Sequence, residues 1–211
     1  MNVLVMYDRE TGSLWSQLLG EAVEGSFKGT KLEFLPAVHT TWEDWKTQFP
    51  DTKALAKGYY GVRTSYARYY SSDAAGVIGE TFDDDRLRTK QLVLGAEHNG
   101  EAVAYPLFQL IDREPVINDV IGGEPVLVVL NEDSRAAVVF SRVTEDGQTL
   151  TFSAQDGVML ADAETGSTWD GMRGLSTEGS LVGTQLEPLK STISFWFGWK
   201  DFYPKTRVYG E

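Results

Sequence analysis

The strongest constraint on this chain is that it resembles itself. The stretch ETGSLW at residues 10–15 returns as ETGSTW at residues 164–169, and sliding the chain by 154 positions extends the match without a gap from Tyr7/Ala161 to Leu55/Tyr209. Between Asp8 and Thr52, 20 of 45 aligned positions are identical, among them Asp8/Asp162, Gly12/Gly166, Trp15/Trp169, Trp42/Trp196 and Trp45/Trp199. A period that long lies outside the roughly 20–50 residues of solenoids and propellers, so the pattern predicts two copies of one domain-sized unit. The second copy opens near Leu92, just after DDDRLRTK; moved back by the same interval, the first copy would open ahead of Met1. The expected organisation is a tandem duplication whose first copy, residues 1–57, is N-terminally truncated. A Tyr-rich connecting or covering segment follows at 58–91, and a complete second copy at 92–211. A one-and-a-half-copy protein is the alternative.

Within each copy the chain is patterned for strands. NVLVMYD, LVLGAEH, EAVAYPL, EPVLVVLN, AAVVFSRV, LTFSAQ and GVMLADA are short, rich in Val and Leu, and bounded by Gly, Asn or Asp. Asn99-Gly100 is a two-residue hairpin signal, because both positions tolerate positive φ, and Asp146-Gly147 is a second. Thr11-Gly12 and Thr165-Gly166 are expected to close hairpins in the same way. Helical signals are few. TTWEDWKTQFP sets Thr40 three residues before Glu43, a capping-box spacing, and stops at Pro50; SFWFGWKDFYP matches it, and YPLFQLI offers a third short helix. The expected fold class is α+β and β-rich, built on mainly antiparallel units with short helices.

Each helix carries Trp-x-x-Trp, and residues three apart share a helix face. These indoles either dock the helix on a sheet or, if exposed, form a stacking platform for a sugar. Five tyrosines between residues 57 and 91 favour a packed covering segment. Asp83, Asp84 and Asp85 lack the ligand spacing of a calcium loop, so a solvated acidic loop is expected there and no metal site.

A net charge of −12 argues against nucleic acid or an anionic membrane surface as partner, since phosphate neutralisation needs clustered Lys and Arg. No apolar run reaches the roughly 18 residues of a membrane span. With no cysteine there is no disulfide, thiolate metal site or cysteine nucleophile within these residues. Walker, dinucleotide-binding, His-Glu-x-x-His and Gly-x-Ser-x-Gly signatures are absent, and nothing implies a cofactor.

The self-alignment also sorts residues by role. Positions identical in both copies serve folding, and turn hydrogen bonding accounts for Asp8 and Asp162. Polar groups of copy one that are replaced by Ala, Gly or Ile in copy two are free to serve a site. Tyr7, Arg9, Gln17, His39 and Asp44 stand against Ala161, Ala163, Gly171, Ile193 and Gly198. The candidate catalytic residues are therefore Tyr7, Arg9, Gln17 and His39, with Tyr7 and Arg9 expected two apart on one strand face. Surface drift is the rival explanation, and a satisfied structural role is the rival for His39.

The segments NVLVMYDRETGSLWSQLLGEAVEGSFKGTKLEFLPAVHTTWEDW, DRLRTKQLVLG, AYPL, INDVIGGEPVLVVL and FWFGWKDFYPKTRVYG together resemble the domain of unknown function 3179 family over nearly the whole chain. That resemblance implies a thiol- or selenol-type redox protein with its reactive Cys or selenocysteine upstream of Met1. It also implies an extracytoplasmic location. The matching place in the second copy, after Asn118-Asp119 and EPVLVVL, holds Asn131 and Ser134, a degenerate pair that cannot exchange thiols. Three functions follow as expectations: a redox enzyme incomplete in this chain, a binding module for a small molecule or glycan, or a structural interaction domain with an unidentified protein partner. If the first copy leaves an apolar face uncovered, self-association is expected as well.

Overall fold

The computed structural model describes residues 4–35, 37–56, 67–76 and 79–211. The chain opens with strands β1 (Val5–Tyr7), β2 (Leu14–Ser16) and β3 (Glu21–Glu24), then helices α1 (Trp42–Gln48) and α2 (Ala67–Ser71). A hairpin of β4 (Leu92–His98) and β5 (Glu101–Pro106) leads through α3 (Leu107–Leu110) to the meander β6 (Val116–Ile121), β7 (Glu124–Leu130) and β8 (Ala137–Ser141). Next come β9 (Phe152–Ala154), β10 (Met159–Asp162), β11 (Thr168–Asp170) and β12 (Leu175–Glu178). The chain closes with β13 (Ser191–Phe195), α4 (Trp196–Phe202) and β14 (Arg207–Val208). The fold is β-rich α+β. Among the described residues the strands form four sheets, ordered β1-β2-β3, β13-β4-β5-β14, β6-β7-β8 and β12-β11-β10-β9. Every pairing is antiparallel except β14 on β5. No helix among these residues is long and apolar enough to cross a membrane.

The run PVLVVL is continuously apolar because β7 is covered on both faces. Val126, Val128 and Leu130 point into a core shared with Leu94, Val103, Tyr105 and Ile117 of neighbouring strands. Leu127 and Val129 point the other way, toward Phe152, Leu160, Trp169 and Leu186. This is the alternation that a strand's period of two requires. The outer face of β4–β5 carries Val93, Ala102 and Ala104, and on it lie Trp196 and Trp199 of α4. Gly95 makes that approach possible: a Cβ there would stand 2.3 Å from the Trp199 ring. The buried Lys200 donates to the carbonyls of Phe82 and Asp84, and the Asp201 carboxylate accepts from the amides of Thr81 and Phe82. Residues 79–86 are thereby held as a cover over α4.

The two related stretches match locally in their first hairpin and their helix. In β1–β2 Met6 faces Trp15, and in β10–β11 Leu160 faces Trp169; the next pairing slips at the same place in each, between Leu14 and Trp15 and between Thr168 and Trp169. Helices α1 and α4 each begin on the first tryptophan of the pair and run for seven residues. Their surroundings differ. Trp196 is fully buried, whereas Trp42 is 56% exposed and α1 has no buried residue.

Several expectations are revised by the coordinates. The Asn99-Gly100 turn forms as expected, with φ of 49° and 80°. Thr11-Gly12 does not make a two-residue turn: Tyr7 pairs with Leu14, and the six residues between them are closed by the Asp8 side chain. The α1 cap is Thr41, whose hydroxyl accepts from the Asp44 amide, rather than Thr40 with Glu43. Trp196 and Trp199 dock α4 as expected, but Trp42 docks on nothing comparable, because no sheet lies beneath α1 among the described residues. Strand β6 carries the polar pair Asn118-Asp119 mid-strand and so escapes the Val- and Leu-rich pattern. Of the five tyrosines, Tyr69 and Tyr70 pack on Phe195 at 6.3 and 6.2 Å between ring centres, and Tyr59, Tyr60 and Tyr66 lie outside the described residues.

Candidate functional site

A cavity of about 520 Å3 lies between the first related stretch and the body of the fold. Gln17, Leu18, Phe34, Leu35 and Val38 form one wall; Gly95, Glu97, Val139, Met172, Leu189 and Thr192 belong to the other. Like positions of the two stretches thus face one space: Leu18 and Met172, Leu35 and Leu189, Val38 and Thr192 all line it. Phe34 is set by Gly20, whose φ of +64° and missing Cβ leave room for the ring; a Cβ there would stand 2.3 Å from it. That volume lies inside the roughly 300–1,000 Å3 of ordinary small-molecule sites.

Polar groups converge at one end. The Lys190 ammonium sits 4.1 Å from the centre of the Phe34 ring, a cation–π arrangement. Burial pulls the Lys190 amine below the usual lysine value, opposed by the nearby Glu97 carboxylate and reinforced by the Lys31 charge. A smaller recess of about 380 Å3 adjoins and shares Phe34, Glu97 and Lys190, with Tyr203 on its far side. Burial, with Glu97 adding repulsion, pushes the Tyr203 phenol up to about 12, so it is a neutral donor at physiological pH. An amine, a carboxylate and a phenol therefore bound two adjoining recesses, whose other walls mix apolar side chains such as Leu18, Leu32 and Val139 with polar ones such as Glu33, Arg173 and Lys31. Among the described residues no cluster of three or more His, Asp or Glu could hold a metal ion.

Of the four candidate catalytic residues, only Gln17 lines this cavity. Strand β1 ends at Tyr7, which is 66% exposed, and Arg9 stands exposed in the turn beyond it, so the two do not share a strand face. His39 is exposed in the segment before α1. Asp44 has a local task, accepting from the Thr40 hydroxyl at 2.6 Å and from the Gln48 amide at 2.9 Å. Asn131 and Ser134 are buried in the turn after β7, where the Asn131 side-chain oxygen accepts from the Asp133 and Ser134 amides and Ser134 Oγ accepts from the Ala136 amide.

A family model described as a protein of unknown function, DUF3179, matches residues 1–206. The chain belongs to that family. No curated protein and no solved structure matches it. In this DUF3179 chain the residues shared by the two stretches hold turns and helix ends. Asp8 accepts from the Thr11 amide and hydroxyl and from Trp15 Nε1 at 3.0 Å; Asp162 accepts from the same groups of Thr165 and from Trp169 Nε1 at 2.9 Å. Trp45 Nε1 donates to Thr52 Oγ1 at 3.0 Å, and Trp199 Nε1 to Thr206 Oγ1 at 2.9 Å.

The cavity groups of this DUF3179 chain that sequence reasoning missed were open to the same comparison read in reverse. Lys190 stands against Pro36 and Arg173 against Leu19, so both are polar only in the second stretch. Glu97 has no aligned counterpart, and its sequence setting beside a hairpin tip gives no signal of a cavity. Asp119 is a further structural anchor: its carboxylate accepts from Tyr105 and from Arg207, each at 2.8 Å, tying β5, β6 and β14 together.

Proposed function

We propose that this chain is a small-molecule-binding module whose ligand occupies the cavity between Phe34 and Lys190 on one side and β4, β8 and β13 on the other. The observation that carries this reading is a recess of about 520 Å3 lined by Lys190, Glu97 and Gln17 alongside Leu18, Phe34, Val139 and Leu189. A compact ligand with an apolar body and one anionic or acceptor group fits it: the body lies against Phe34, Leu189 and Val139, and the acceptor meets the Lys190 amine. The thiol or selenol chemistry implied by family resemblance needs a sulfur or selenium that Asn131 and Ser134 do not supply, so binding stands first for these 211 residues.

The fluorescent anion 1-anilinonaphthalene-8-sulfonate tests the site. It should bind saturably, more tightly as pH falls and the Lys190 amine gains its proton, and Lys190→Glu should weaken it by about tenfold or more, the worth of one charge-assisted contact. Binding that survives Lys190→Glu but disappears with Trp42→Ala would place the dye on the exposed α1 face and refute the cavity reading.

A further inference from the structure

Lys190 and Glu97 are brought together by the sheet and then held apart. Strand β13 joins β4 in antiparallel register, and the last pairing toward this end is Ser191↔Ala96. One position further the same register sets Lys190 opposite Glu97, where a base and an acid normally meet across two strands. Here they do not meet. One oxygen of Glu97 accepts from the Gly100 amide at 2.9 Å, while the Lys190 ammonium lies over the Phe34 ring. Ion pairs among the described residues centre on Arg86, Lys200 and Arg207, and neither Lys190 nor Glu97 belongs to one. Glu97 is nonetheless near enough for its charge to act on the Lys190 amine. Both groups are half-buried and both line the two recesses. A charge that has given up part of its water without gaining a counter-charge profits most from a ligand that brings one. The walls repeat the arrangement, with Glu33 and Arg173 in the larger recess and Glu21 and Lys31 in the smaller, none of them ion-paired.

We infer that the ligand of this cavity is a zwitterion with an apolar body, the chemistry of a free apolar amino acid or a short apolar peptide. Its carboxylate meets the Lys190 ammonium, its own ammonium meets the second Glu97 oxygen, and its apolar side chain lies against Phe34 and Leu189, which line the same recess. The inference rests on the binding role proposed above and adds a positive charge to the ligand. A simple anion drawn to Lys190 sits beside the Glu97 carboxylate, and a simple cation drawn to Glu97 sits beside the Lys190 ammonium. Each meets repulsion from the like charge, so the open pair selects against both. A zwitterion makes a charge-assisted hydrogen bond to each. Glu97 offers acceptor oxygens rather than an aromatic cage, which suits an ammonium that carries N–H donors rather than a quaternary one.

Calorimetric titration of the full chain with L-phenylalanine, N-acetyl-L-phenylalanine, which lacks the ammonium, and L-phenylalaninamide, which lacks the carboxylate, tests this. L-phenylalanine should bind with a dissociation constant of roughly 10–100 μM, and each blocked form at least about tenfold more weakly. Two variants should then cross over. Glu97→Gln keeps an acceptor for the Gly100 amide; it should cost L-phenylalanine about tenfold and leave the N-acetyl form unchanged or tighter. Lys190→Met keeps an apolar contact with Phe34; it should cost L-phenylalanine about tenfold and spare the amide. Leucyl-phenylalanine, titrated alongside, distinguishes a peptide from a free amino acid, and whichever binds more tightly should lose as much when either end is blocked. Parallel losses for all three phenylalanine compounds in either variant would assign that residue a merely structural role and overturn the inference. So would an N-acetyl form that binds as tightly as L-phenylalanine and ignores Glu97→Gln, since the site would then take simple anions. Saturable binding of anilinonaphthalene sulfonate with no saturation by L-phenylalanine or the dipeptide below about 5 mM overturns this inference and leaves the cavity reading standing. Failure of the dye as well removes both.

Discussion

Replacing the first tryptophan of each helix by alanine tests whether surroundings, rather than local sequence, decide what these residues contribute. Trp196 is fully buried, donates from Nε1 to the Asp84 carbonyl at 3.1 Å and lies beneath the Arg86 guanidinium. A buried indole removes about 200 Å2 from water, which at about 25 cal/mol per Å2 is roughly 5 kcal/mol. Measured truncations of core Trp fall at about 3–5 kcal/mol, and the stranded Asp84 carbonyl keeps Trp196→Ala in the upper part of that range. Trp42 keeps more than half of its surface in water and leaves no closed cavity behind, so Trp42→Ala should cost under about 1 kcal/mol. At about 2–4 °C per kcal/mol for a chain of this size, calorimetry should show Tm falling by roughly 6–20 °C for Trp196→Ala and by less than about 4 °C for Trp42→Ala. Urea titrations followed by circular dichroism give the free energies directly. Equal losses for the two variants would refute the reasoning, because the aligned positions would then share one environment.

Other expectations follow from single contacts. Gly95→Ala sets a Cβ 2.3 Å from the Trp199 ring, and the overpacking should cost about 1–3 kcal/mol in chemical denaturation; an unchanged midpoint would mean that α4 does not press on β4. Asn131→Ala removes the acceptor for two amides in a buried turn and should cost about 1–3 kcal/mol, with faster exchange at Asp133 and Ser134. Hydrogen bonds from Thr11 and Trp15 lower the Asp8 carboxyl to about 2. A carboxyl depressed in the folded state stabilises its turn fully above its ordinary value of about 4, and that contribution is lost as pH falls through about 2. The Trp15 indole N–H resonance should follow that midpoint; a midpoint near 4 would show that the Asp8–Trp15 bond does not form in solution.

Much of the fold is legible in the sequence because its signals are local. The Asn99-Gly100 hairpin needs only two residues that tolerate positive φ, and the double burial of β7 is written in the unbroken run PVLVVL. The repeated Asp-x-x-Thr-Gly-x-x-Trp predicts a turn, but not that the carboxylate reaches an indole seven residues on; that bond depends on the strand pairing which brings Trp15 back alongside Asp8. The differing fates of Trp42 and Trp196 cannot be read from helices that carry the same pair of tryptophans. They are decided by β4 and β5, roughly a hundred residues away from Trp196 in the chain. The cavity is harder still, because Glu97 and Lys190 meet only once β13 has paired with β4. Tyr7, Arg9 and His39 mark what such a comparison leaves open: a polar residue that its aligned partner lacks has freedom to act, yet nothing in the alignment requires that it face a recess.

The pairing of β4 with β13 has a consequence for how this protein is born. Leu92 leaves the ribosome long before Phe195, and at about 5–20 residues per second the interval is roughly 5–20 seconds. Throughout it, the groove over Gly95 lies open on the nascent chain, an apolar strand awaiting an indole not yet synthesised. Closure is a long-range event, slow by nature and late in synthesis, so the emerging polypeptide depends on chaperones or on rapid local hairpins to keep that groove from other strands.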